Sequence, residues 1–315
     1  MRAVAVEKLK GEPRLMDLPQ PVAKADQLLV KVSAAGINPV DWKLADGMLD
    51  GVMPNVLPFV LGVDAAGVVA GVGANVSRFK KGDRVFGQFL HAPLGEGTYA
   101  EYTVVPETAA VAKLPSAVSN EIGAALPTAA MTALAMVDLL ELAPGSKVLI
   151  VGATGGVGSF ATQIAAAKGF TVLVTAGAQD VGRMKQFGAY ETYDYRAADL
   201  IFQISAAHKQ GIDAVIDVVS DAAAFKRNAG LVSKGGFALT TVGVADQKDL
   251  QTTGIKGGNF SLQGDAGLLQ RLAVLVESGE LMVPIEATIS LAEASAAIAT
   301  SRSGRARGKT VIRIG

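Results

Sequence analysis

The run Lys147-Val148-Leu149-Ile150-Val151-Gly152-Ala153-Thr154-Gly155-Gly156-Val157-Gly158 constrains this chain more than any other stretch. It follows a Pro144-Gly145 turn. Val148 to Val151 are uniformly apolar, as a buried strand is, and the glycines mark a tight turn. Ser159 to Lys168 then reads as a helix, with Phe160, Ala161, Ile164, Ala165 and Ala167 at helical spacing. Strand, glycine turn and helix together bring backbone amides to a helix N-terminus, where the unsatisfied N–H groups and the helix dipole favour an anion. In this order the pattern points to the pyrophosphate of a dinucleotide. A glycine-rich turn of a generic α/β domain is the simpler reading of the same residues.

The chain beyond this turn alternates. Short apolar strands at Val148–Val151, Thr171–Thr175, Ala214–Val219 and Phe237–Val242 are separated by helices centred on Phe160–Ala167, Val181–Phe187, Leu200–His208 and Ala222–Leu231. Fully apolar strands between helices predict a parallel sheet covered on both faces, a doubly wound α/β domain. The chain before the turn has a different texture. Met1–Val6, Gln27–Ala34, Gly67–Val72, Arg84–Phe86 and Thr98–Val105 alternate or are apolar, between Gly, Pro and Asp signals, which predicts a β-barrel-like domain. Asn120–Leu126 and Thr128–Leu142 read as helices, as does Leu268–Ser278. Ala287–Ile289, a helix over Leu291–Thr300 and a strand over Thr310–Ile314 read as a return to the first domain. The expected division is 1–120, completed by 285–315, and 121–284.

Composition removes several function classes. The 29 Lys and Arg balance the 29 Asp and Glu, so no charge excess calls for nucleic acid or an anionic membrane. There is no cysteine and there are only two histidines, His91 and His208, which excludes disulfides, thiolate catalysis and cysteine-ligated zinc. Two histidines are too few for a histidine-rich metal site, and His91 reads as a bystander in a surface loop. The N-terminus lacks a signal peptide's apolar core, and the most apolar window, Val56–Val76, is broken by Pro58, Asp64 and glycines. The expectation is a cytoplasmic protein without membrane insertion.

Several further segments carry a family resemblance: Ala35-Gly36-Ile37-Asn38-Pro39-Val40-Asp41-Trp42-Lys43, Leu61-Gly62-Val63-Asp64-Ala65-Ala66-Gly67, Lys80-Lys81-Gly82-Asp83-Arg84-Val85, Gly97-Thr98-Tyr99-Ala100-Glu101-Tyr102, Pro127-Thr128-Ala129-Ala130-Met131-Thr132-Ala133 and Arg307-Gly308-Lys309-Thr310-Val311. In this order, over essentially the whole chain, they resemble the medium-chain dehydrogenase/reductase superfamily, in its zinc-independent quinone oxidoreductase and enone reductase branch. The resemblance implies an α/β fold class, a GroES-like β-barrel domain plus a Rossmann doubly wound parallel sheet domain. Where zinc alcohol dehydrogenases resemble Gly-His-Glu this chain has Gly62-Val63-Asp64, and Asn38 stands where a cysteine is usual. With those ligand types missing, no tetrahedral zinc site is expected.

The resemblance also implies site residues. Gly152, Thr154, Gly155, Gly156, Val157 and Gly158 belong to the pyrophosphate turn. The next strand ends Thr175-Ala176-Gly177, with no acid for ribose hydroxyls, which favours NADPH over NADH. Arg183, Tyr195, Arg305 and Lys309 are candidate cofactor contacts, although Arg183 is equally a solvated helix face. Val219, Ser220, Val242 and Gly243 lie at strand ends, where ligands of open α/β sheets collect. Phe260 and Thr128 resemble residues near the nicotinamide, and Thr128 is also placed to cap its helix. Asn38, Asp41 and Lys43 are the catalytic candidates: Asn38 to donate to a substrate carbonyl, Lys43 to supply a proton or to be a plain surface lysine, Asp41 to hold the loop. The function so implied is NADPH-dependent reduction of a quinone or α,β-unsaturated carbonyl. Alternatives are a trans-acting enoyl reductase or tailoring reductase, and a non-catalytic NADPH-binding or redox-sensing protein. The family commonly forms homodimers by joining Rossmann sheets edge to edge, and the apolar residues of Phe237–Val244 and Phe260–Leu262 are compatible with that.

Overall fold

The computed structural model describes residues 1–304 and 306–315. They divide into two compact units: Met1–Met131 with Gly264–Gly279 and Val283–Gly315, and Thr132–Gln263 with Glu280–Met282.

The first unit holds two sheets. One runs, in spatial order, Ile285–Ser290, Lys309–Arg313, Gln27–Gly36, Asp64–Val72, Arg84–Gln88, Ala110–Lys113, with Tyr102–Pro106 also paired to Gln27–Gly36. The other is Arg14–Asp17, Arg2–Val6, Asn55–Val60, Leu94–Glu96. Alternation builds the core: Leu28, Val30 and Val32 point inward and are buried with Val85, Val111 and Ile312, while Lys31 between them is exposed. The expected return of the chain is present, since Ile312 pairs antiparallel with Ala35. The boundary differs from the expected 120. Arg84 donates to the carbonyls of Pro115 and Val118 and to Asn120 Oδ1, and Thr128 bonds to Asp64, so the first unit keeps the chain through Met131. The expected strand Thr98–Val105 begins only at Tyr102, and the run before it carries Tyr99 inward instead. The sequence patterns also did not reveal the helix Pro39–Ala45, which at seven residues is too short for a periodic signal. Its start is fixed by a capping box, in which Asn38 N–H donates to Asp41 Oδ2 at 2.6 Å.

The second unit is a six-stranded parallel sheet ordered Glu191–Tyr193, Thr171–Thr175, Lys147–Val151, Ile212–Asp217, Val232–Thr240, Lys256–Asn259. Counted along the unit this is 3-2-1-4-5-6, the Rossmann order. Val148, Leu149, Ile150, Val172, Leu173, Val174, Ala214, Val215 and Ile216 are fully buried, as expected for central strands covered on both faces. The two edge strands, Glu191–Tyr193 and Lys256–Asn259, escaped the sequence reading because they are short and polar or glycine-rich. No helix among the described residues is long and apolar enough to cross a membrane.

Candidate functional site

The glycine turn has the geometry its sequence demands. Gly152 has φ +87°, and a Cβ there would lie 2.7 Å from Val219 Cγ1. A Cβ on Gly158 would lie 2.2 Å from the Gly152 carbonyl oxygen, so only glycine lets the helix Gly156–Ala167 start against the strand. Gly155 occupies the N-cap position and no side chain caps this end. Its own Cβ would come no nearer than 3.5 Å to the Gly152 oxygen. A twelve-residue helix thus presents an uncapped N-terminus at half-buried Thr154, Gly155, Gly156 and Val157. These residues fit a dinucleotide pyrophosphate.

The other strand ends frame the turn. Gly152 N–H donates to Thr175 Oγ1 at 3.3 Å, and Thr175 is buried. Thr175 therefore ties the turn to the end of the neighbouring strand. Gly177 is buried, and Asp180, five residues beyond Thr175, pairs with Arg183 at 3.1 Å. No acid stands at 175–177, and the next along the chain, Asp180, is engaged by a guanidinium. Tyr195 is 55 % exposed, with the Arg196 guanidinium 5.6 Å from its ring centre. Asp217 is fully buried and accepts from Val219 N–H, Ser220 N–H and Asn228 Nδ2, which shapes the end of its strand and leaves Val219 exposed. Thr240 accepts from Val242 N–H at 3.1 Å through its hydroxyl and from Phe260 N–H at 2.7 Å through its carbonyl, and Gly243 follows with φ +80°. Arg305 lies outside the described residues.

The catalytic candidates belong to the first unit, in a buried polar network. Asp41 accepts from Asn38 N–H, from Val63 N–H at 3.0 Å and from the Tyr99 hydroxyl at 2.5 Å. Asp64 accepts from Thr128 N–H at 3.0 Å, from the Thr128 hydroxyl at 2.7 Å and from Asn38 Nδ2 at 2.8 Å. Lys309 Nζ donates to the Ile37 carbonyl at 3.0 Å and to Asn38 Oδ1 at 2.6 Å. Burial pushes the Asp41 carboxyl up to about 7 and raises that of Asp64, while it lowers the Lys309 ammonium and raises the Tyr99 phenol.

Three expectations change on this geometry. Asn38, expected to donate to a substrate carbonyl, is buried, with its Nδ2 donating to Asp64 and its Oδ1 accepting from Lys309. Lys309, expected at the cofactor, is 2 % exposed with its ammonium spent on Ile37 and Asn38. His91 is not in a surface loop; its side chain is 7 % exposed and its Nε2 lies 2.9 Å from the Val104 carbonyl. Asp41 holds the loop, as expected. Lys43 is half-buried, with its Nζ 5.7 Å from the Trp42 ring centre and no hydrogen bond or ion pair of its side chain among the described residues. Tyr99, which reads from the sequence as a packing residue of a strand, donates to Asp41, and Gln88 has no signal along the chain. The available signal for such a cluster was Asp64 itself, a carboxylate in the chain's most apolar window, which cannot be buried without donors.

Zinc does not fit these residues. Val63 offers no donor, Asn38 and Asp64 are committed to hydrogen bonds, and an ammonium already stands 2.6 Å from Asn38 Oδ1. No group of three or more His, Asp or Glu side chains suited to a metal exists among the described residues.

Two family models match the chain, "Alcohol dehydrogenase GroES-like domain" over residues 24–116 and "Zinc-binding dehydrogenase" over 187–312. The chloroplast envelope quinone oxidoreductase homolog of Arabidopsis thaliana is 31 % identical over 94 % of this chain and 92 % of its own length. A chloroplastic quinone-oxidoreductase homolog of Spinacia oleracea is 39 % identical over 57 % of this chain, a match spanning 55 % of the spinach protein. The 2-methylene-furan-3-one reductase of Solanum lycopersicum is 31 % identical over 98 % of this chain and 76 % of its own. A mycobacterial protein solved in complex with NADPH has a TM-score of 0.86, 26 % identity and 99 % coverage of both chains.

Proposed function

This chain belongs to the quinone oxidoreductase family of the medium-chain dehydrogenase/reductase superfamily and is an oxidoreductase, and from that premise we propose that it reduces quinones or the C=C bond of α,β-unsaturated carbonyls with NADPH. The observation that carries the reading is the self-satisfied network at Asn38, Asp41, Asp64 and Lys309, in which Asn38 and Asp64 stand at positions that resemble those of zinc-branch ligands and are committed to hydrogen bonds instead. A saturated carbonyl is difficult to reduce without strong electrophilic assistance at its oxygen. A quinone or conjugated enone spreads the developing charge onto oxygen, where ordinary hydrogen-bond donors suffice.

The bound cofactor supplies the hydride. This chain's part is to hold the pyrophosphate at Gly155, Gly156 and Val157, and to provide a proton near the substrate. Lys43 is the donor we assign, since its ammonium carries no hydrogen bond among the described residues. Lys43→Met is expected to lower kcat about 100-fold with NADPH affinity unchanged; an unchanged kcat removes Lys43 from the chemistry.

Preference for NADPH is supported by the missing acid at 175–177 and by the pairing of the next acid, Asp180, with Arg183. Gly177→Asp is expected to weaken NADPH binding at least about tenfold while leaving NADH nearly unaffected, by placing a carboxylate against the 2′-phosphate. Fluorescence titration with both cofactors measures it, and equal losses for the two would refute the assignment. Steady-state NADPH oxidation over a panel of quinones and enones tests the whole reading. Turnover only with carrier-bound acyl substrates selects an enoyl reductase, and tight NADPH binding without turnover of any acceptor selects a sensor. We further place homodimerisation at the sheet edge formed by Lys256–Asn259, to be read by light scattering.

A further inference from the structure

Five side chains of the first unit form one continuous hydrogen-bonded chain. Lys309 Nζ donates to Asn38 Oδ1, Asn38 Nδ2 donates to Asp64 Oδ2, the Thr128 hydroxyl donates to Asp64 Oδ1, and Gln88 Nε2 donates to Thr128 Oγ1 at 2.8 Å. Each link has a direction. An ammonium only donates, so the Asn38 amide must turn its oxygen to Lys309 and its NH2 to Asp64. An ionised carboxylate only accepts, so Asp64 takes the single Thr128 proton, and the Thr128 oxygen must in turn accept from Gln88. The ammonium alone fixes the Lys309–Asn38 link; the direction of the Thr128 and Gln88 links rests on an ionised Asp64.

Asp64 is fully buried and shares its surroundings with a second buried acid, Asp41. The titratable groups facing the cluster are Asp41 from the helix Pro39–Ala45, Asp64 from its strand, Tyr99 from the loop before Tyr102, and Lys309 from the C-terminal strand. Lys309 is the single cation among them, and the Asn38 amide dipole lies between it and Asp64 with its oxygen toward the cation. Two buried carboxylates without a cation do not both stay charged. We propose that Lys309 is a positioning residue, the built-in cation that keeps Asp64 an accept-only group and so sets the direction of every hydrogen bond from Asn38 to Gln88. Losing the ammonium makes Asp64 a proton carrier; a protonated Asp64 competes with Thr128 and Asn38 as a donor, and the far end of the chain loses its fixed orientation.

Lys309→Met is the test. In protein labelled with 13C at aspartate carboxyls and 15N at side-chain amides, the wild-type Asp64 carbon is expected to report a carboxylate throughout pH 6–9. In Lys309→Met it is expected to titrate within that range, and the Asn38 and Gln88 amide protons to lose their protection from exchange. The activity arm alone rests on the reductase reading. There kcat/KM of Lys309→Met is expected to fall about tenfold at pH 6–7, the worth of one charged hydrogen bond, and to recover toward wild type near pH 9 as Asp64 ionises again. A structural role alone lowers the profile equally at every pH. An Asp64 carbon that stays ionised in Lys309→Met, with a profile parallel to wild type, overturns the proposal. Should Lys309→Met fail to fold, the charge-neutral pair Lys309→Met/Asp64→Asn decides: a double variant more stable than Lys309→Met supports the charge balance, and one no more stable overturns it. A wild-type protein that turns over no acceptor removes the reductase reading and leaves the carboxyl titration to judge Lys309.

Discussion

Gly158→Ala is expected to abolish dinucleotide binding and to destabilise the second unit, whereas Gly155→Ala, three residues away in the same turn, is expected to leave the thermal midpoint nearly unchanged. The difference is one of distance. The added methyl at 158 meets the Gly152 carbonyl oxygen at 2.2 Å, also lies 2.7 Å from Ala153 Cα, and has no flexible side chain to displace. The helix must move off the strand, an overpacking cost of about 1–3 kcal/mol or more. That movement carries the uncapped N–H groups away from the place where the phosphates bind. The methyl at 155 finds only the Gly152 oxygen, at 3.5 Å, an ordinary contact. It sits on the half-buried side of the turn, so it is expected to reduce NADPH affinity about tenfold by crowding the pyrophosphate without unfolding anything. Differential scanning calorimetry and cofactor titration on both variants measure the pair. Equal midpoints for the two would show that the turn tolerates more than its geometry implies, and unchanged affinity in both would place the cofactor elsewhere.

The second large effect belongs to Asp41. Three donors converge on its carboxylate, so Asp41→Ala leaves Asn38 N–H, Val63 N–H and the Tyr99 hydroxyl without their acceptor in a buried site, at a cost of about 3–5 kcal/mol. Its titration gives a sign as well. Burial raises the carboxyl from 3.8 to about 7. Below the lower value both folded and unfolded chains hold the proton, and above the upper one both have lost it. Between them the folded protein keeps a proton that the unfolded chain has released, so the stability Asp41 contributes is fully present below 3.8 and lost as pH rises through about 7. Asp64, raised by burial for the same reason, adds to the same slope. Urea unfolding at intervals from pH 4 to 8 is expected to show stability falling across this window in the wild type, less steeply in Asp41→Asn, and not at all from these groups in Asp41→Asn/Asp64→Asn. An undiminished slope in the double variant would assign the dependence to other residues.

The glycine turn of the second unit and the buried network of the first were legible to different degrees. The cofactor turn was almost entirely local: a strand, four glycines and a helix contiguous in sequence, each constrained by backbone sterics. The strand ends carrying Val219, Ser220, Val242 and Gly243 followed from periodicity, because a parallel sheet brings its C-terminal ends together. The hidden elements were the short edge strands and the seven-residue helix at Pro39, which have too few residues to show a period. The side chains of Thr175 and Arg183 have partners, the Gly152 N–H and Asp180, that spacing does not reveal.

The network at Asp64 lay beyond the sequence for a different reason. Asn38 and Lys309 are 271 residues apart, and the contact between them exists because the C-terminal strand pairs with Gln27–Gly36. The sequence by itself determined a Rossmann unit with a dinucleotide turn and a β unit lacking the histidine and cysteine of a zinc site, since those follow from local sterics and from residue types that are present or absent. Only the tertiary structure decided what surrounds those positions: a buried lysine and a buried acid joined through the Asn38 side-chain amide, and a second buried acid on the Asn38 backbone N–H. Hydrogen-bond direction and charge balance depend on which groups meet in space, and no pattern along the chain encodes that meeting.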